Sequence, residues 1–212
     1  MILAGSLIIY SKMETTDQDS GELKLYMLLI GSKAPGRNVE QHDYFFAIAE
    51  TLPELIPQIK AFWPEAGRSI HIDGWREVKV VDGYRIRVVC KNENEALSSR
   101  KLFFINLGGY QSGKLEEQHY TVLTVQDDRV AAISSSKKTV FFKTHSVDSV
   151  KGANSHIDEK YGIDVDDIYR IEDILTPEQK EKYRLEITPA EDLPADIVHL
   201  GYLTLDKLAK TV

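Results

Sequence analysis

The chain has 212 residues, an apolar share of 42% and 33 acidic residues against 26 lysines and arginines. That is enough apolar side chain for a packed core, and the net charge of -7 opposes nonspecific contact with phosphate backbones or anionic lipid, so neither nucleic acid nor a membrane is an expected partner. The single cysteine, Cys90, excludes an internal disulfide and a Cys-x-x-Cys metal pair.

Residues 1–10 are apolar, but they carry no basic flank and fall short of the roughly 20 residues a membrane span needs. Residues 1–22 read as a flexible N-terminal segment of a cytoplasmic protein. From Lys24 to Ile30 a continuous apolar run suits a buried strand; Gly31 to Asn38, with two glycines and Pro35, is a loop; Asp43 to Ala49 is a second strand. Thr51-Leu-Pro-Glu54 has capping-box spacing, and Leu52, Leu55, Ile56, Ile59, Phe62 and Trp63 then fall on one helical face, with Pro57 bending or delaying the start. Ile70 to Lys79 and Tyr84 to Cys90 are strands turned at Asp82-Gly83, and Cys90 at the strand end reads as a small buried hydrophobe. The polar, aperiodic stretch 91–100 is a linker, which leaves 23–90 as a first unit. In 101–173 the same order returns, with Asp127 or Asp128 capping a helix that carries Val130, Ile133 and Val140. Residues 174–212 are an extension: Thr176-Pro177-Glu178 opens a short helix, and Tyr183 to Ile187 and Leu200 to Leu205 are further strands.

The second unit is a diverged copy of the first. A shift of 77 lays Lys24–His42 on Lys101–His119 without a gap, and Lys, Leu, Gly31/Gly108, Gly36/Gly113 and the Glu-Gln-His ends at Glu40-Gln41-His42 and Glu117-Gln118-His119 coincide. A shift of 85 lays His71–Ile86 on His156–Ile171, matching His-Ile-Asp73 to His-Ile-Asp158 and Tyr84-Arg85-Ile86 to Tyr169-Arg170-Ile171. The expected fold is α+β, two strand-strand-helix-strand-strand units of β-grasp-like order. If each has its own core, a cut in 91–100 leaves the first soluble. If they descend from a symmetric dimer, the two Glu-Gln-His segments lie near a pseudo-twofold axis.

Gly108 to Lys114 begins like a phosphate-binding loop, but Leu115 replaces the magnesium-binding hydroxyl and a strand follows where a helix is needed. The stronger candidate is the shared polar set: Glu40, Gln41, His42, His71 and Asp73, with Glu117, Gln118, His119, His156 and Asp158. Strand alternation puts Glu40 and His42 on one face of their strand and His71 and Asp73 on one face of theirs. Two imidazoles and a carboxylate converging from two strands suit a divalent metal or a histidine general base; the alternative is a set of strand-edge groups with satisfied hydrogen bonds. No other cofactor is expected. Arg85 and Arg170 serve either a carboxylate ligand or a cross-strand ion pair. Trp63 reads as core, whereas Trp75 covers a pocket or an interface.

Gly36-Arg-Asn-Val-Glu-Gln-His-Asp43 and Ile70-His-Ile-Asp-Gly-Trp-Arg-Glu-Val78 resemble the family catalogued as domain of unknown function 1543, over 24–88 closely and over 101–173 more loosely. The resemblance implies a bacterial, non-secreted protein and supplies no activity. The second copy departs from the pattern, with Lys114-Leu115 for Arg37-Asn38 and Lys160 for Trp75, so an intact site belongs in the first. With no catalytic motif, the leading reading is a non-catalytic binding or assembly module. A metal-assisted hydrolase is the alternative, and a small anion near Arg37 or a protein is the expected partner class.

Overall fold

The computed structural model describes residues 21–92, 98–110, 115–138 and 163–211. The elements are β1 (Lys24–Ser32), β2 (Gln41–Ala49), α1 (Ile56–Phe62), β3 (His71–Glu77), β4 (Val80–Val81), β5 (Tyr84–Cys90), β6 (Lys101–Tyr110), β7 (Glu117–Gln126), α2 (Arg129–Ser136), β8 (Ile163–Arg170), α3 (Ile171–Ile174), α4 (Pro177–Lys182), β9 (Tyr183–Pro189), β10 (His199–Thr204) and α5 (Leu205–Leu208). They form an α+β fold of three antiparallel sheets, ordered β10-β3-β1-β2, β7-β6-β8 and β4-β5-β9.

The hairpin β1–β2 and the hairpin β6–β7 share one register. Lys24 faces Ala49 and Gly31 faces His42, just as Lys101 faces Gln126 and Gly108 faces His119. The third strands match too, but not at the spacing of 85. His71 faces Gly31 and Asp164 faces Gly108, so β8 follows β3 at a spacing of 93. Each third strand carries a β-bulge at the same place, between Leu29 and Ile30 in one ladder and between Asn106 and Leu107 in the other. Because Ile30 pairs with Ile72 and Leu29 with Gly74, the extra residue is Asp73; by the same count in β8 it is Asp166. The match of Tyr84-Arg85-Ile86 to Tyr169-Arg170-Ile171 is therefore not structural. The first triplet lies in β5, paired with β9, while the second spans the junction of β8 and α3.

The units share a core. Alternation along β1 sends Tyr26, Leu28 and Ile30 to one face, where they pack with Leu55, Ile59 and Ile72, and Leu25 and Met27 to the other. There Leu25, Met27 and Ile48 meet Leu102, Phe104 and Val125, their own counterparts 77 residues on. Equivalent faces are thus packed together, and Phe46 and Tyr44 both set their rings 5.2 Å from Phe104. The extension completes the first unit: β9 pairs along all of β5, and β10 adds an edge strand to β3. Gly74 allows that approach, since a Cβ there would stand 3.0 Å from Leu200 Cδ2 and 3.2 Å from the His199 carbonyl. A cut in 91–100 would strip the first unit of both strands and half of a core, so it does not have a self-sufficient core.

Local expectations fare unevenly. Thr51 donates to Glu54 Oε1 and Glu54 Oε2 accepts from the Glu50 amide, a displaced form of the capping box, because the chain first makes a 3-10 turn, Leu52–Leu55, before Pro57 opens α1. Phe62 is exposed and only flanks Phe45, and Val130 faces solvent on α2, where Ala132 is the buried position instead. Val140 lies outside the described residues. Asp128 caps α2 and Thr176 caps α4, as their positions suggest. Cys90 is exposed rather than buried, since β5 ends at the rim of its sheet. Among the described residues, no helix is long and apolar enough to cross a membrane.

Candidate metal centre

Four of the expected residues converge over Gly31. Glu40 precedes β2, His42 sits on β2 opposite Gly31, and His71 opens β3 on the other side of Gly31. The bulge then matters. In a regular strand, residues 71 and 73 share a face but stand two positions apart; the extra residue lets Asp73 turn back toward His71. The result is a ring of donors: His42 Nε2 lies 3.1 Å from Asp73 Oδ2 and 3.3 Å from Glu40 Oε1, and His71 Nε2 lies 3.4 Å from each of the same two oxygens. Ligand atoms held about 2.0–2.2 Å from one ion stand roughly 2.8–3.6 Å from their neighbours at octahedral or tetrahedral angles. These four separations fall in that interval; Glu40, His71 and Asp73 offer ligand atoms within 4.8 Å of one another, and His42 flanks the two carboxylates.

The floor of the ring has to be glycine. A Cβ on residue 31 would lie 2.5 Å from Asp73 Oδ2, 2.6 Å from His71 Nε2 and 3.1 Å from His42 Cδ2. His71 is almost wholly buried, with its Nδ1 2.8 Å from the Ser69 carbonyl. A carbonyl only accepts, so Nδ1 donates to it and Nε2 is left facing the carboxylates. Nε2 of His71 and Oδ2 of Asp73 are buried and have no hydrogen-bond partner. A cation held between the two would satisfy both.

The second unit builds a poorer version. Glu117, His119 and Asp166 offer ligand atoms within 4.8 Å of one another, all on exposed residues. His119 lies 3.8 Å from Glu117 Oε2 and 3.4 Å from Asp166 Oδ2, and Asn106 adds a contact at 3.3 Å. The position of His71 is held by Asp164, so one imidazole is lost. The spacing of 85 sets Asp166 against Val81 and so hides it; between β3 and β8 it is the one identical residue, aligned with Asp73. His156 and Asp158 lie outside the described residues.

Other candidates stand apart. Gln41 bonds the Val39 carbonyl and Gln118 bonds Glu116, and Arg37 sits in the exposed turn closed by its own amide on Ala34; none joins either cluster. Arg170 pairs with Glu172. Trp63 is half-buried against the first unit's core, and Trp75 stacks on His199 at 4.0 Å, while Tyr202 of the same strand lies over the His71 ring at 4.3 Å. A cavity of about 500 Å³ lies among Lys79, Arg85, Ile86, Pro194 and Asp196, away from both clusters. Both clusters lie on the sheet faces that carry the shared core, and Asp43, beside His42, has its carboxyl pushed up by burial and further by Asp167 of the second unit, against a lowering bond from the Tyr44 amide.

Residues 37–88, which span all of the first ring, match the family model described as Domain of Unknown Function (DUF1543). That match covers residues 37–88 of the chain's 212. Comparison with curated proteins finds no match. Among solved structures, the crystal structure of a protein Il1583 from Idiomarina loihiensis is similar in fold, with a TM-score of 0.52 and 22% identity over 87% of this chain and 98% of that one. The DUF1543 segment thus contains Glu40, His42, His71 and Asp73, and the α+β architecture extends well beyond it.

Proposed function

We propose that the first unit is a binding module for a divalent transition metal of the zinc class, held by Glu40, His71 and Asp73 with His42 beside the two carboxylates. The observation that carries this is the pair of buried, unpartnered atoms, His71 Nε2 and Asp73 Oδ2, aimed into a space that a single methyl at Gly31 would fill. Two imidazoles with two carboxylates are intermediate donors, suited to zinc and its neighbours rather than to calcium or magnesium. Glu40, His71 and Asp73 are the mutually near set, and His42 adds an imidazole beside both carboxylates; a metal-assisted hydrolase, which needs a position open for water, is the second reading and is separated by activity. The exposed second cluster is a diverged relative of the first with weaker affinity. The acidic surface and unpaired Cys90 support a cytoplasmic setting.

The test is metal analysis and zinc titration of the whole chain. About one equivalent should bind with the affinity of a dedicated site, vanish in His71→Ala, and persist in His119→Ala. If His119→Ala abolishes it and His71→Ala does not, the second unit is the centre and this reading is wrong. Hydrolysis of simple phosphoesters or esters that tracks zinc content would move the assignment to a metal-assisted hydrolase.

A further inference from the structure

The hydrogen bonds behind His71 run inward from the metal centre. Its Nδ1 proton goes to the Ser69 carbonyl, and the Ser69 hydroxyl lies 2.6 Å from that of Ser32. Ser32 follows Gly31 on β1 and is fully buried. The Ser32 hydroxyl stands 3.2 Å from the Ala66 carbonyl, and the Ser69 hydroxyl stands 2.8 Å from Ala66 O and 3.3 Å from Lys33 O. Two hydroxyls therefore tie the 3-10 turn Pro64–Ser69 to the strand beneath the ring of ligands. What they hold still is the one carbonyl that decides which nitrogen of His71 carries the proton.

A buried hydroxyl in a strand that faces a packed core has no merit as filling; an alanine there would leave fewer groups to satisfy. The second unit provides the comparison. The counterpart of Ser32 is Gly109, facing Gln118 as Ser32 faces Gln41, and the counterpart of His71 is Asp164. The hydroxyl is absent from the unit that lacks the histidine, while the bulge, the glycine floor and the bulge aspartate remain in both. Ser32 thus goes with the imidazole and not with the fold.

We infer that Ser32 and Ser69 are positioning residues of the metal centre, acting through His71 by fixing the orientation and tautomer of its ring. This rests on the metal-binding reading above. Partners of this kind behind a metal-bound histidine typically account for about 10–100-fold in affinity. The whole chain is titrated with zinc against a chromophoric chelator, beside melting curves of the metal-free proteins. Ser32→Ala and Ser69→Ala should each weaken zinc about tenfold or more, and Ser69→Thr should restore most of the loss. Parent-like zinc affinity in both alanine variants overturns the inference and leaves the metal site standing. So does a Ser69→Thr variant as weak as Ser69→Ala, which would mark a structural effect. If the parent chain fails to bind zinc, the metal-binding reading falls first, and the inference with it. Should Ser32→Ala fail to fold, Ser69→Ala and Ser69→Thr decide the matter alone, since Ser69 lies at the surface.

Discussion

Gly31→Ala is the sharpest single perturbation, because it changes the space of the metal centre without removing a ligand. The backbone at residue 31 is ordinary strand, paired on both sides with His42 and His71, so alanine meets no conformational penalty and gains about 0.5–1 kcal/mol over glycine. Against this, its Cβ would stand 2.5 Å from Asp73 Oδ2 and 2.6 Å from His71 Nε2, and overpacking of a tight site costs about 1–3 kcal/mol. The Asp73 carboxylate can swing aside, but the His71 ring is enclosed, with Nδ1 bound to Ser69 and its face under Tyr202. The net loss is therefore about 0–2.5 kcal/mol, or up to roughly 10 °C in melting temperature for a chain of this size. Zinc affinity should suffer far more, because moving ligand atoms apart by an ångström destroys the common centre; a fall of about 100-fold or more is expected. The control is Gly108→Ala, where the Cβ would meet Asp166 Oδ2, the end of an accessible carboxylate that can turn to solvent. Calorimetric titration and thermal melts of both variants are the assay. Undiminished zinc binding by Gly31→Ala would refute the placement of the ion over that residue.

Three further outcomes follow from the fold. Asp82 occupies a left-handed position, with φ 52, and its carboxylate accepts from the Thr124 hydroxyl at 2.6 Å and the Val125 amide at 3.0 Å; Asp82→Gly removes both bonds without backbone strain and should cost about 1.5–3 kcal/mol, seen as a lower melting temperature, whereas no change would mean this link between the units is idle. Burial raises the Glu77 carboxyl, but the hydrogen bonds and charges of Lys79 and Lys24 outweigh it and leave it below its ordinary 4.5. A lowered carboxylate adds stability above that ordinary value and loses it as pH falls through the folded one, so Glu77→Gln should melt below the parent at pH 7 and converge with it in acid; a gap that stays constant down to pH 3 contradicts the ion-pair origin. A fragment of residues 22–95 should be unfolded by circular dichroism, having lost β9, β10 and the second unit's side of the shared core, and a cooperative melt from it would show that the first unit stands alone.

The parts of the fold that could be read from sequence were those fixed by local pattern. The apolar runs of β1 and β2, the Asp82-Gly83 turn, the caps at Asp128 and Thr176 and the strands of the extension each follow from residues close in sequence, and the repeat at spacing 77 coincides with the observed register strand for strand. The ring of Glu40, His42, His71 and Asp73 was also accessible, since alternation on two strands suffices to bring imidazoles and carboxylates together. What failed was the third strand of the second unit. His-Ile-Asp and Tyr-Arg-Ile offered more identities at spacing 85 than the true spacing of 93, because strand pairing is decided by which residues face Gly108 and by a bulge, and neither leaves a signature in residue identity. The alternation Ile163-Val165 followed by a break before Ile168 was the available signal for that bulge, and it points to Asp166. Shared packing between the units was hidden for a related reason: alternation shows that β1 and β6 are apolar on both faces, but not that the two faces meet.

The metal assignment is tested most directly by anomalous diffraction at the zinc absorption edge from crystals of the whole chain grown with zinc. A single strong peak is expected over Gly31, about 2.0–2.2 Å from Nε2 of His71 and from carboxylate oxygens of Asp73 and Glu40, with at most a weaker peak beside His119. An ordered ring of the same four side chains with no anomalous density between them would contradict the account and leave the cluster as a protonated histidine held by two carboxylates.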